Sequence, residues 1–404
     1  MKRKAILLLL SGATTSLMAM YAEQATLYED PSILGMGGVD IAVGGHSTSL
    51  FTNPAGLANI KKEDGFIVDM LSVGYSGTSK TNDFLNDLND AGDADDSLSA
   101  TSAVLEQYSG EHFHTEVNAY MSLSKNSEQF AWSIGLLTAA DINLMTHKKT
   151  NEHAELLETT SRVYGGVVLG GAKPYQTPYG EVDLGVGLKY ISQKSYEGTL
   201  GLSELVDEDD NEEEENDIVD TLQEKYERQN NGIGIDLGLI YKPTIPQLSL
   251  WHPAVGLSIM NIGSINMDDN YGGQPTTVNI GVSVSPEVKY IDSLVIGMDY
   301  VDLFNATKLR EYDFSDPDGT TSYKDHTVVS FKQNFRLGVK AALVNSKYFS
   351  SALSLGLYQG AYTAGLNLDI TILKINFATY QEEVGSSSLS IQDRRYITQI
   401  AIGW

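Results

Sequence analysis

The sequence predicts an all-β protein, a transmembrane antiparallel β-barrel of about 14 strands with an N-terminal plug or hatch. Three observations carry that expectation. Apolar residues alternate with small or polar ones along most of the chain. The connections between the alternating runs are mostly long and short by turns. Finally, the chain opens like a secretory leader, and no later stretch approaches 18 uninterrupted apolar residues, the least a membrane helix needs.

The leader comes first. Lys2, Arg3 and Lys4 precede the apolar run Ala5 to Leu10, and small residues lead on to Ala19 and Ala22. That build predicts a signal peptide over 1–22, cut after Ala22 in preference to Ala19. Residues 23–62 are expected to form a plug and 63–404 the barrel with long acidic outside loops.

Composition narrows the function. The 404 residues include no cysteine, which excludes disulfides, thiolate nucleophiles, Cys-type zinc sites and a lipoprotein anchor. With 27 basic against 53 acidic side chains, the net charge of −26 repels nucleic-acid phosphate. The 22 Tyr, 11 Phe and 3 Trp set the chain apart from an acidic disordered one.

Period two is clearest in the second half. Ile233, Ile235, Leu237, Leu239 and Tyr241 share one face, with Gly232, Gly234, Asp236 and Gly238 on the other. Val278 to Val284, Phe335 to Leu343, Leu353 to Leu357 and Tyr396 to Trp404 repeat the rhythm. Strands are expected near 64–75, 113–124, 129–142, 159–171, 181–195, 231–242, 254–264, 276–286, 292–303, 332–344, 349–359, 361–371, 373–383 and 392–404. Long connections at 76–112, 143–158, 196–230, 265–275 and 304–331 alternate with short ones, as outside loops and periplasmic turns do in a barrel. The connection near Gln359–Ala361 breaks the rule by being short. Trp132, Trp251 and Trp404 fall at ends assigned to the periplasmic side, where amphipathic rings favour a membrane interface.

Two outside loops carry the charge. Glu204 to Asp220 holds 11 acidic residues and Asp83 to Glu111 eight, with no Lys or Arg in either. The expected reading of both is a solvated, partly disordered or helical loop that keeps the rim soluble, and Ile218, Val219, Leu222 and Tyr226 can give the second a short amphipathic helix. The functional alternative is cation bridging to lipopolysaccharide or docking of a basic partner.

Within 23–62, Gly35, Met36, Gly37 and Gly38 precede Leu50, Phe51, Thr52, Asn53, Pro54, Ala55, Gly56 and Leu57. Asn53 then Pro54 is a helix start, and Gly56 keeps that helix brief. This arrangement resembles the FadL-type barrels. The closing stretch, Phe377 to Gly385 and Asp393-Arg394-Arg395-Tyr396, is similar to a branch named for the conjugal-transfer protein TraF. The resemblance implies a 14-stranded outer-membrane channel for long-chain fatty acids or other hydrophobic compounds. In it a hatch of Asn53, Pro54 and Ala55 blocks the lumen until a ligand loosens it. The residues themselves leave a movable hatch and a fixed plug equally open. Leu34, Met36, Leu50 and Phe51 would contact a ligand if they face a cavity, and otherwise form plug core.

Faces opposite the apolar ones place Asp183, Lys189, Asp236, Asp299, Arg336 and Lys340 in the lumen, where mixed charges are expected to pair and hold a plug. Asp316, Asp318, Gly319, Thr320, Ser322 and Asp325 resemble part of a calcium loop, but Phe314 stands at its first ligand position. His112 and His114 can share a side of a strand but have no third ligand at a telling spacing. No nucleophile elbow or phosphate loop occurs, so neither enzyme activity, nor a cofactor, nor a metal is expected.

The reading is an outer-membrane channel for passive uptake of a hydrophobic compound. The alternative is a TraF-like interaction protein supporting conjugal transfer, secretion or envelope assembly. Expected partners are outer-membrane lipid and lipopolysaccharide, a hydrophobic small molecule, the barrel-insertion machinery and an envelope protein on the acidic loops.

Overall fold

The computed structural model describes residues 23–404 apart from 63–64, 128, 150–155, 207–217, 269, 313–322, 328, 347, 386–390 and 404. The expected leader, most of the acidic run 204–220, the calcium-like turn from Asp316 to Ser322 and Trp404 lie outside the described residues.

The period-two segments form β1 (Phe66–Thr78), β2 (His112–Asn126), β3 (Ala131–His147), β4 (Leu156–Thr177), β5 (Gly180–Gly201), β6 (Glu227–Pro243) and β7 (Ala254–Ile262). They continue as β8 (Thr277–Val284), β9 (Ser293–Tyr300), β10 (Lys308–Tyr312), β11 (Tyr323–Thr327), β12 (Phe335–Asn345) and β13 (Phe349–Tyr358). The last three are β14 (Ala361–Ile370), β15 (Leu373–Glu383) and β16 (Gln392–Gly403). Fourteen of them close into one antiparallel barrel, and β10 with β11 makes a separate hairpin in the loop before β12. The ring closes where β1 pairs with β16, Tyr75 opposite Thr398 and Val73 opposite Ile400. Closure leaves no strand edge, which a bilayer requires because lipid offers no hydrogen bonds. No helix among the described residues is long and apolar enough to cross a membrane.

The two faces sort by chemistry. Ile134, Leu136, Val186, Leu188, Ile233, Ile235, Leu353, Leu355, Ile400 and Ile402 are exposed on the outside. Asp183, Lys189, Asp236, Asp299 and Arg336, which occupy alternate positions, are buried. The wall is uneven in height. β4 and β5 have 22 residues each, about 70 Å of extended chain, whereas β8 and β9 have only 8.

The first long outside loop is ordered by helices that the period-two pattern does not reveal. α2 (Thr81–Gly92) and α3 (Ser97–Gln107) turn their apolar residues onto the tall strands. Phe84 stacks on Phe113 with centroids 4.1 Å apart, and Leu105, Leu157 and Leu200 complete that cluster. The second acidic loop contributes a helix at Ile218–Tyr226, whose Leu222 and Tyr226 pack on the same cluster. In the first loop Asp83, Asp90, Asp93, Asp95 and Asp96 face solvent, while Phe84 and Leu105 pack against the tall strands.

Candidate functional site

Residues 23–62 run around the inside of the barrel. The helix α1 (Pro31–Leu34) starts with an Asp30 side chain accepting the Ser32 N–H at 2.8 Å. Gly37 and Gly38 then reverse the chain with φ of 72° and 75°, a conformation that favours glycine. Asn53 opens the next turn, a six-residue 3₁₀ helix from Pro54 to Asn59, by accepting the Ala55 N–H at 3.1 Å. Its Nδ2 donates to the Ile41 carbonyl at 2.7 Å and to Leu239 of β6 at 3.2 Å. One side chain therefore joins two plug segments to the wall.

The wall receives this segment on a belt of glycines. Going round the barrel, Gly365 of β14 faces Gly35, Gly356 of β13 faces Gly37, Gly338 of β12 faces Met36, and Gly297 of β9 faces Val39. Gly281 of β8 and Gly256 of β7 face Ile41, Gly238 of β6 faces Asn53 and Ala55, Gly185 of β5 faces Pro54 and Ala55, and Gly170 of β4 faces Leu50. A Cβ at any of the nine would lie under 3.0 Å from the plug. Several are directly opposite one another, including Gly338 with both Gly297 and Gly356, and Gly185 with Gly238. At six of the nine the plug atoms met are backbone, which cannot give way, and at Gly170, Gly281 and Gly297 they are side-chain carbons of Leu50, Ile41 and Val39.

Lumen charges complete the attachment. Asp299 accepts the Asp40 and Ile41 N–H groups at 2.7 and 2.9 Å, and Lys340 donates to Ser32. Lys189 pairs with Asp236 at 3.0 Å, and Asp183 with Lys242 at 2.8 Å. Arg336 lies 4.0 Å over the Tyr358 ring. All six charges expected in the lumen thus have protein partners, and two of them hold the plug.

Between plug and outside loops lies a cavity of about 570 Å³. Its plug side presents Tyr28, Ile33, Leu34, Ile41 and Phe51, and its wall Met260, Val301 and Tyr358. Lys189, Arg310, Arg336, Glu29 and Asp302 add polar points. Phe51 is fixed by Tyr28 and Tyr120, at centroid distances of 5.2 and 5.7 Å. Of the four apolar plug residues singled out in the sequence, Leu34 and Phe51 line the cavity. Leu50 is instead packed with Leu57, Ile60 and Val168, and Met36 is sealed against β12.

A family model described as "F plasmid transfer operon, TraF, protein" matches residues 50–355, about three quarters of the chain. The chain belongs to this TraF family. No curated protein matches its sequence. Among solved structures, the TraF-family barrel is similar to the deltaS2S3 mutant of the monoaromatic hydrocarbon channel TodX. The TM-score is 0.55 at 11% identity, over 93% of this chain and 98% of that one. The deltaS2 mutant of TodX gives 0.51 at 10% identity, over 93% and 97%. A Pseudomonas aeruginosa FadL homologue gives 0.49 at 11% identity, over 95% and 99%. The TodX matches establish a shared fold for the TraF-family barrel and leave its substrate to be argued from its own residues.

Sequence reasoning overlooked the start of the plug. Glu23 meets Arg395 in a two-pronged pair at 2.7 Å, Arg162 and Tyr164 donate to the Thr26 and Leu27 carbonyls at 2.5 and 3.0 Å, and Tyr380 donates to Glu29. Arg395 and Tyr380 stood in the stretches that carry the TraF resemblance, but no spacing rule ties them to residue 23.

Proposed function

We propose that this TraF-family barrel resides in the outer membrane and takes up a hydrophobic compound passively, without enzyme chemistry. The observation that carries the proposal is the cavity of about 570 Å³, where apolar plug and wall residues, Leu34, Phe51 and Met260 among them, stand beside charged groups that include Lys189, Arg310 and Arg336. That size and mixture suit a small organic ligand. The shared fold with the monoaromatic hydrocarbon channel TodX supports the same reading. A ligand captured between the outside loops would rest on Phe51 and Leu34, and its own partitioning would drive it onward. Lipid and lipopolysaccharide would surround the apolar exterior.

The test is native mass spectrometry on protein extracted mildly from its own membrane, as wild type and as Phe51→Asp. A retained apolar molecule of defined mass that is lost in the variant supports uptake. An empty barrel in both cases rejects it.

One observation favours a second reading. The belt of glycines holds the plug in contact with nine of the fourteen barrel strands. A plug so firmly held suits an interaction protein that supports transfer, secretion or envelope assembly, with its helical acidic loops as the docking face. A stoichiometric protein partner and no ligand in the same spectrum would favour this role.

A further inference from the structure

An apolar slot opens on the outer side of the barrel wall. Register sets Phe66 of β1, Lys125 of β2, Trp132 of β3, Gly171 of β4 and Val186 of β5 on a single rung, each directly opposite the next. Phe66 and Val186 are exposed on the outside, so the rung faces outward. Four of its members carry side chains and Gly171 carries none. A Cβ there would lie 2.4 Å from the Phe130 ring, so that ring, from the turn between β2 and β3, rests on strand backbone. Beside it runs a slot of about 450 Å³. Trp132 and Ile134 wall one side, Val186 and Leu188 the other, and Leu169 and Gly171 of β4 lie between them.

Two lysines stand at the end of the slot nearest the short turns. Lys125 is on the rung itself. Lys173 is the first outward residue of β4 past its last pair with β3, Ala131 opposite Ala172. Each is seated on an aromatic ring, Lys125 Nζ 4.2 Å from the Phe66 centroid and Lys173 Nζ 5.2 Å from that of Tyr175. Neither forms an ion pair with a described carboxylate. Lys189, Lys242 and Lys374 are all paired with carboxylates. Acidic side chains outnumber basic ones 53 to 27, so two lysines left on rings beside an apolar slot mark a place for an anion from outside the chain. Lysine stems and aromatic rings gather at the membrane–water boundary, where phosphate headgroups lie.

We propose that the slot binds one phosphatidylglycerol molecule from the leaflet on the short-turn side. One acyl chain lies between Trp132 and Val186, and the phosphate meets Lys125 and Lys173. Hydrophobic burial gives no preference here, because the competing solvent is itself lipid; fit to the slot and headgroup charge decide. A second copy of the barrel is the competing occupant. A two-fold contact on this face would bring both copies' lysines into one interface, where like charges repel.

The inference rests on residence in the membrane and goes beyond the uptake reading. The test is native mass spectrometry on the protein purified from its own membrane in mild detergent, titrated with dioleoyl phosphatidylglycerol or dioleoyl phosphatidylethanolamine. Wild type should bind one phosphatidylglycerol saturably, at least about tenfold more tightly than phosphatidylethanolamine, since each lysine near a membrane surface contributes about fivefold for an anionic lipid. Lys125→Gln with Lys173→Gln should bring phosphatidylglycerol down to the level of the other lipid. Lys289 has a similar seat, 4.8 Å over Tyr290 but away from the slot, so Lys289→Gln should change nothing. Gly171→Leu fills the slot and should abolish the saturable adduct of either lipid. If that variant does not fold, the lysine variants still decide. Phe51→Asp should keep the lipid, so this inference and the uptake reading fail separately. Equal affinity for the two lipids, a preference that survives the double lysine substitution, an equal loss in Lys289→Gln, or paired barrels in place of a lipid adduct would each overturn the proposal. Recovery of the chain in the soluble fraction would overturn membrane residence and the lipid site with it.

Discussion

A Cβ built on Gly338 of β12 would lie 1.9 Å from the carbonyl oxygen of Met36. Plug and wall are therefore in backbone contact, and the side chain that is absent defines the site. Gly338→Val is expected to prevent the plug from seating, which exposes 23–62 to protease or stops the barrel from folding. Gly92→Ala is the control, since nothing lies within 4 Å of that position. Limited proteolysis of the two variants in detergent checks this, and equal resistance would show that the belt does not hold the plug.

Asn53 is the second anchor. It is 1% exposed and satisfies the Ile41 and Leu239 carbonyls and the Ala55 N–H. Asn53→Leu keeps the volume and removes all three bonds, stranding buried backbone groups at a cost of about 2–4 kcal/mol. Asn53→Asp retains the acceptor for Ala55 but loses both donations. Thermal unfolding should rank wild type above both variants. A neutral Asn53→Leu would mean that water replaces the amide.

Much of the fold was legible because a barrel strand separates two solvents residue by residue, and β5, β6 and β16 display that alternation directly. The strand count and most connections follow from it. The helices α2 and α3 were legible only as one option for a solvated loop, since their apolar residues Phe84 and Leu105 are sparse within a strongly acidic run. The β10–β11 hairpin was hidden, its strands being five residues each in a loop of polar composition. At the site, Asn53 and the plug glycines were visible from local chemistry. Their partners lie more than 180 residues away, and only the closed ring brings Gly238 or Leu239 to them. The lumen-facing glycines Gly238, Gly281, Gly338 and Gly356 were the available clue. One residue type recurring on the inner face of successive strands signals an object packed against that face.

Lys189 and Asp236 test whether a lumen ion pair stabilises the barrel or only specifies its arrangement. Both are buried, and the Asn261 N–H also donates to Asp236 at 2.8 Å. Lys189→Met leaves that carboxylate without its cation and should cost about 3–5 kcal/mol. Adding Asp236→Asn restores a neutral acceptor for Asn261, so the double variant is expected to recover most of the loss. Unfolding of the four proteins gives the coupling, and additive losses would mean that the two groups act independently.

His46 gives the plug a pH dependence of known sign. Burial pulls its pKa down, but the Asp40 carboxylate, which it meets at 2.9 Å, outweighs burial and leaves it above the ordinary 6.5. The folded plug therefore holds the His46 proton more tightly than the unfolded chain does. The resulting stabilisation is complete below about pH 6.5 and is lost as the pH rises through the higher folded value. His46→Gln keeps a donor for Asp40 and does not titrate. Its unfolding temperature should lie below that of wild type under mildly acidic conditions and converge with it in alkaline solution. A wild-type-minus-variant difference that stays constant from pH 6 to 9 would show that the His46 charge contributes nothing to seating the plug.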